Sequence, residues 1–579
     1  MKLRFLSIFL YVAFVHSQRH EREYSFCEDG FGNWLTVKQI PGSGENSYEK
    51  HHCHKHLAKI HYLNDINQTG WAYLETDILD DSLSHWKQGY IAGYMEGHAT
   101  RDLIALQIRN TLSDYCDGAE KYCKNLSIFL KENLKWMIKE LHRNWNDPYW
   151  RQIALTLFQY KGIHDAYYHK KPIVSDTFDI DMIDGSNDED DIIDPIMLLQ
   201  LAGDLEDLQG KFKKPENLRR PYSVIGSHCS ALVKLLPDHS DLYFSHVTWS
   251  SYSGMLRMQK KYAFKTDDPG QEYAFSGYPG TIASVDDFIV TSSKLAVLET
   301  TIANYNEELN SYIKPNTVLC WIRTQVAHRT SSTAADWANT FAKHNSGTYN
   351  NEWVVVDYKR FRRGYRHQKD YGIIQVVEQL PHFVVHADMT KELLESTYWP
   401  GYNTPYFSQI QRESQMQKMI DKFGDWYTYD KTPRALIFAR DHGNSYLFLP
   451  KKRDFMSNNF TKDPLSRCNC NPPYSGENAI ACRSELNPKN GTYPFGSLGF
   501  RDHGATDAKV TNSHLINSLQ FTAVAGPTHD PTPVFDWNTA PFDGTVPHFG
   551  QPTRWTFAPV THKWRKHSTS EHFYYNITF

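Results

Sequence analysis

The chain has 579 residues, 40% hydrophobic and 14% aromatic, which is ample material for a core and too much for an intrinsically disordered protein. Lys and Arg total 62 against 66 Asp and Glu, a net charge of −4, so no strong electrostatic pull toward nucleic acid or anionic membranes follows. Mean hydropathy is −0.58, and no apolar run beyond the N-terminus approaches the length of a membrane span, which argues against an integral membrane segment.

Lys2 and Arg4 precede an apolar run from Phe5 to Val15, with short residues before Gln18. That pattern is a secretory signal over 1–17, too short to span a bilayer. Nine cysteines in an oxidising compartment then predict disulfides with one thiol left over. Cys27 with Cys53 is one option, Cys116 and Cys123 close a short loop, and Cys468, Cys470 and Cys482 share one bridge, assigned to Cys470 and Cys482. The patch His51-His52-Cys53-His54-Lys55-His56 fits no closed Cys/His zinc spacing and reads as a solvated segment. Sequons at Asn67, Asn125, Asn459, Asn490 and Asn576 predict glycosylated surface positions.

Residues 70–165 read mainly as helix. After Asn125, a candidate N-cap, Leu126, Leu130, Leu134, Met137, Ile138, Leu141 and Trp145 recur at helical spacing, with Pro148 beyond. Residues 183–194 are acidic and lack an apolar period, which predicts an exposed loop; the stretch from Lys211 to Arg220 is polar and basic. From Ser230 onward the character changes. Ser230–Leu236, Asp241–Trp249, Met258–Phe264, Asp287–Ser293, Leu295–Ile302, Glu352–Lys359 and Ile373–Leu380 are β-branched or aromatic runs broken by Pro, Gly, Asp and Asn. Their short connections favour antiparallel pairing. Ser332–His344 reads as a helix capped by Ser332. The class is α+β, with a helical first third and a sheet-rich remainder.

Gly-x-Ser-x-Gly, His-Glu-x-x-His and the P-loop are all absent from the sequence. The informative segment is Gly226-Ser227-His228-Cys229-Ser230-Ala231-Leu232-Val233, where a cysteine stands between a loop and the first strand of the sheet-rich part. Taken alone, such a cysteine is more often a buried structural thiol. Its surroundings shift that balance. HCSALVKLLP (228–237), FSHVTWSSYSGMLRMQKKY (244–262), SGYPGTIASVDDF (276–288), LETTIANYN (298–306), NSGTYNNEWVVVDYK (345–359), YWPGYNTPYF (398–407), GDWYTYDKTPRALIF (424–438), GENAIACRSELNP (476–488) and APFDGTVPHFGQP (540–552) run in one order along the chain. Together they resemble the lysosomal phospholipase B-like proteins, members of the N-terminal-nucleophile (Ntn) hydrolases. The N-terminal third resembles them more loosely, most clearly at LLQLAGDLEDL (198–208).

The resemblance implies an Ntn-hydrolase four-layer α/β/β/α sandwich and an inactive precursor. Cleavage between His228 and Cys229 yields an N-terminal fragment, 18–228, whose last part (about 183–228) is a linker. The C-terminal fragment, 229–579, remains its partner. Cys229 then carries both the nucleophilic thiol and a free α-amine that serves as base. His246, Trp249, Thr301, Asn403 and Arg434 match the family's pocket positions: Thr301 to bond the amine, Asn403 to donate to an oxyanion, Arg434 to hold the thiolate or the tetrahedral intermediate. Each also has a bland reading, as core, turn or ion-pair residue. His246 and Trp249, three apart on one strand, share a pocket only if the strand twists or bulges between them. No metal or organic cofactor is implied. The substrate implied is a phospholipid acyl chain, with a small amide and a lipid carried without turnover as competing readings. The resemblance also implies lysosomal delivery or secretion, with a lysosomal sorting receptor as a further partner.

Overall fold

Runs rich in Val, Ile, Tyr and Phe, with alternate residues turned inward, build two stacked sheets in the computed structural model, which describes residues 20–39, 53–173, 193–218, 228–365, 371–443, 456–542 and 544–565. The signal segment, His51 and His52, most of the acidic loop, the His228 side chain and Asn576 lie outside the described residues.

The strands in chain order are β1 (His20–Glu28), β2 (Trp34–Gln39), β3 (Lys55–Asn64), β4 (Trp71–Ile78), β5 (His228–Leu235), β6 (Leu242–Ser251), β7 (Arg257–Ala263) and β8 (Glu272–Gly277). They continue with β9 (Ile289–Thr291), β10 (Leu295–Thr301), β11 (Asn351–Asp357), β12 (Ile374–Leu380), β13 (Phe383–Asp388), β14 (Tyr398–Gly401), β15 (His503–Asn512) and β16 (Thr522–Ala525). The first sheet has the order β13-β12-β11-β10-β9-β8-β7-β4-β3-β1-β2. The second has the order β14-β5-β6-β15-β16, closed by the short strand Val560–Thr561. Pairing is antiparallel except between β4 and β7, which run parallel from Trp71↔Arg257 to Asp77↔Ala263.

Three apolar layers follow from the pleat. Ala231, Val233, Phe244, Phe288, Leu298, Val354 and Val376 fill the space between the sheets. The far face of the first sheet packs on helices His85–Thr111, Glu120–Arg143, Pro148–Tyr167, Cys320–Thr330 and Ala334–Phe341. Among the described residues the far face of the second meets helix Pro433–Asp441, the coil around Ile480 and single side chains such as Tyr402 and Met456, so the fourth layer is thin there. The α+β class and the two large, mainly antiparallel sheets agree with the sequence reading.

Four details differ from it. β1 to β4 put a four-stranded half-sheet in the part read as helical; Lys55, His56, Lys59 and His61 on β3 mask its alternation. The helix expected to start at Asn125 starts at Glu120, which leaves Asn125 inside it. The next cap is Thr333, not Ser332: its side chain accepts from the Asp336 N–H while Asp336 accepts from its own. Cys116–Cys123 and Cys27–Cys53 are bridged, but the third disulfide joins Cys468 to Cys470. Cys482 is a buried free thiol, because its carbonyl accepts from Ala505 N–H at 2.8 Å and its sulfur turns inward to Ser484 and Glu477. Three thiols are free, Cys229, Cys320 and Cys482, where the odd count requires at least one. Asn67 and Asn490 are exposed, and Asn125 and Asn459 half-buried.

Helices His85–Thr111 and Pro148–Tyr167 touch through glycine: a Cβ at Gly93 would overlap the Gln159 carbonyl, and one at Gly89 the Leu155 carbonyl. Gly93→Ala is therefore expected to cost on the order of 1–3 kcal/mol by forcing the pair apart. A melting temperature equal to the parent's, measured by circular dichroism, would rule out that close approach.

Candidate active site

The β5–β6 hairpin sets Cys229 opposite Thr248 and Ala231 opposite His246. Ala231 and Phe244 belong to the core between the sheets, and Leu232, Val247 and Trp249 to the core outside them. By strand alternation Cys229, His246 and Thr248 face the inter-sheet space, and Trp249 faces away. The register shift here lies on β15, between Ala505 and Asp507, and leaves the alternation of β6 unbroken. Trp249 is linked to the site through Arg434, whose guanidinium carbon is 4.4 Å from the indole centroid.

Side chains hold both ends of the Cys229 backbone. Its N–H donates to Asn403 Oδ1 at 3.2 Å, and its carbonyl accepts from Arg434 Nη1 at 2.7 Å. Asn403 follows β14 with a φ of +66°, a left-handed position that asparagine tolerates. Its Nδ2 donates to the Thr301 carbonyl at 2.7 Å, so one amide ties β5 to β10. Arg434 sits in the first turn of its helix, after Pro433. Burial lowers its pKa to about 10.

The residue that motif reasoning passed over is Glu299. The Cys229 thiol lies 3.8 Å from Glu299 Oε1, Thr301 Oγ1 donates to Oε2 at 3.3 Å, and His246 Nε2 donates to the Glu299 carbonyl at 3.0 Å. Period-two reasoning places Glu299 with Leu295 and Val297, on the helical side of the sheet. β9 has only three residues and pairs with Ala296 and Val297, so it offers β10 no ladder at Glu299, and there the carboxyl meets the thiol. The available signal was its place in LETTIANYN, two residues before Thr301.

Behind this cluster lies a buried charge network. Arg257 pairs with Asp286 at 2.8 Å and Asp507 at 3.1 Å, and Lys509 with each of them at 2.6 Å. Thr248 Oγ1 donates to Asp286 Oδ2 at 2.9 Å. Two cations against two carboxylates leave the network neutral. Burial, then the Glu299 charge, raises the Cys229 thiol well above its ordinary pKa, while burial and Lys509 hold His246 well below its own. Cys229, His246 and Glu299 bring donor atoms within 4.8 Å of one another. His246 Nε2 is committed to a carbonyl and Lys509 opposes added positive charge, so the group fits acid–base chemistry better than a cation. In the His-rich segment both sulfurs, of Cys27 and Cys53, are spent in their disulfide.

A second carboxyl pair steadies the Asn403 segment. Glu352 and Glu378 face each other across β11 and β12. Glu378 accepts from the N–H groups of Tyr406 and Phe407, and Glu352 from the Trp399 indole at 3.4 Å. Burial raises the pair, Glu378 to about 8, and the charge of Glu378 lifts Glu352 well above its ordinary range.

Such an arrangement defines a two-sheet α+β protein with an unbridged cysteine at the head of a central strand. Residues 58–562 match the family described as Phospholipase B. The chain is 56% identical over 551 residues to phospholipase B-like 1 of Caenorhabditis elegans, covering 95% of this chain and 94% of that one. It is 43% identical over 525 residues to phospholipase B-like 2 of Homo sapiens, covering 88% and 86%. It is 34% identical over 521 residues to phospholipase B-like protein B of Dictyostelium discoideum, covering 87% and 85%. The chain belongs to the phospholipase B family.

Folded-state carboxyl pKa values raised above the unfolded value favour the fold at low pH, and that contribution is lost as pH rises through them. The window for the carboxyl pair runs from about 4.5 to about 8. Glu352→Gln keeps a donor toward Glu378 and removes one titrating group. The parent is expected to lose melting temperature between pH 5 and 8, and the variant to lose less. Parallel profiles would show that the pair is not linked to folding.

Proposed function

We propose that this protein is a hydrolase that passes an acyl group through the Cys229 thiol to water, that it becomes active by scission of the 228–229 peptide bond, and that it removes fatty acyl chains from phospholipids. The observation that carries this reading is the setting of Cys229, which is unbridged, stands at the head of β5 and has its backbone N–H held by Asn403. The names of the family relatives support a phospholipid substrate.

In the intact chain the Cys229 side chain is only 1% exposed, so a substrate does not reach the thiol before scission. Scission turns the Cys229 amide nitrogen into an α-amine. An unperturbed α-amine has a pKa of roughly 7.7–8.0, suited to taking the proton of its own thiol. Asn403 Oδ1, now an acceptor for the amide N–H, then aims the amine. Arg434 anchors the carbonyl of the same residue, Thr301 holds Asn403 and Glu299, and Trp249 backs Arg434. Both reacting atoms belong to one residue, so their approach costs little further entropy.

The fragments stay joined by the sheet. β1 to β4 precede residue 229, and β4 forms its parallel ladder with β7 beyond it. After scission the two pieces are expected to co-elute in native size-exclusion chromatography and to part in denaturant.

Mass-spectrometric reading of the larger fragment is expected to find Cys229 at its terminus. Cys229→Ser is expected to abolish fatty-acid release from phosphatidylcholine vesicles. Mature material with an intact 226–230 stretch, or full release from the serine variant, would sink the reading. Asn403→Ala is expected to slow turnover by on the order of 10²-fold, the cost of a positioned hydrogen bond at a reacting centre, with little change in melting temperature. Equal turnover would remove Asn403 from the site.

A further inference from the structure

Before scission the Cys229 nitrogen is an amide and cannot serve as a base, so the proton of the attacking thiol needs another acceptor. His246 does not supply one through Nε2, which donates to the Glu299 carbonyl. Lys509 and Arg257 are cations held by Asp286 and Asp507. Glu299 is the acceptor in contact: its Oε1 faces the thiol at 3.8 Å, while Thr301 Oγ1 on Oε2 and His246 on its carbonyl fix the side chain and the strand. Cys229 and Glu299 are both buried, so bulk water does not compete for the proton.

We propose that Glu299 is a catalytic residue of the maturation step, carrying the thiol proton of Cys229 to the departing amide nitrogen. The proposal rests on the scission reading above. The ionised form of Glu299, the minor one because burial raises the carboxyl, takes the proton from Sγ as sulfur bonds to the carbonyl carbon of residue 228. The same proton then passes to the Cys229 nitrogen as the carbon–nitrogen bond breaks, leaving a thioester and a free amine. Water adds to the thioester, the carbon–sulfur bond breaks and the thiol is restored, so one water is consumed and Glu299 returns to its starting state. The groups that face Glu299 are Cys229 of β5, His246 of β6, Asp286 and Asp287 ahead of β9, Thr301 of β10, Tyr349 ahead of β11 and the buried thiol of Cys320 at the start of helix Cys320–Thr330. Burial, with the charge of Asp287, holds the carboxyl well above its ordinary range, as a carrier between a thiol and an amide nitrogen requires.

The test follows scission of the full-length precursor by gel and mass spectrometry across pH, in the parent, Glu299→Gln and Glu299→Asp. Glu299→Gln preserves shape but cannot carry the proton, and is expected to slow scission by about 10²–10⁴-fold. Near-ultraviolet circular dichroism checks that the variant is folded. Glu299→Asp is expected to be cut more slowly than the parent, with its pH profile displaced to lower pH because aspartate is the stronger acid. A purely structural role would leave that profile in place. A parent cut at 228–229 beside a folded Glu299→Gln chain cut at the same rate overturns the proposal and spares the scission reading. If Glu299→Gln does not fold, an unmoved profile in Glu299→Asp overturns it. A parent never cut at 228–229 overturns both.

Discussion

Cys229 is gripped at both ends of its backbone, its N–H by Asn403 and its carbonyl by Arg434, and much of the architecture serves to keep those two side chains in place. Asn403 depends on a left-handed backbone after β14, on the Thr301 carbonyl, and on Glu378, which holds the N–H groups of Tyr406 and Phe407. Arg434 depends on a short helix that starts at Pro433 and on the Trp249 ring beneath its guanidinium. Two elements distant in sequence thus hold one residue of a third.

The ion network of Arg257, Lys509, Asp286 and Asp507 lies behind that residue and joins β7 of one sheet to β15 of the other. Burying four charges carries a large desolvation cost, which pairing offsets only when the geometry is good and further hydrogen bonds are made. Thr248 and Ser276 make such bonds to Asp286, at 2.9 Å each. Because the network is neutral, it sets a fixed local field at His246 without committing the site to either sign of charge. The raised carboxyls, Glu299, Glu352, Glu378 and Asp287, are a different population: buried without a full counter-charge, they favour the protonated form. These four groups favour the fold on the acid side of neutrality.

Much of this was legible along the chain. The seven β-branched or aromatic runs named from Ser230 onward match strands to within a residue or two, because hydrophobic alternation is a local property, whereas β8, β13, β14, β15 and β16 had no run assigned to them. The segments carrying Cys229, His246, Thr301, Asn403 and Arg434 were recognisable strings, and the fold brings all five residues to one cluster. Trp249 was not separable by motif. Only its parity on β6, opposite to that of His246, shows that it packs on the other side of the sheet. Glu299 was hidden because parity alone sends it away from Cys229, and the shortness of β9 at that point is a fact of pairing. β1 to β3 had no strand assigned, and β4 falls inside the stretch 70–165 that reads mainly as helix, for a related reason: polar residues on β3 hide its period, and the partner of β4 in β7 lies far along the chain.

The sequence by itself determined the α+β class, the family, and the position of the cysteine at the head of a strand, since composition, periodicity and motif order are written locally. The tertiary structure decided which cysteines bridge, which face Trp249 occupies, how a half-sheet from before residue 229 is knitted to the strands beyond it, and which carboxyl reaches the thiol. Apart from the disulfides Cys468–Cys470 and Cys116–Cys123, which join near neighbours, those are consequences of pairing between distant segments, where register and strand length set which atoms meet, and no short window of residues contains both partners.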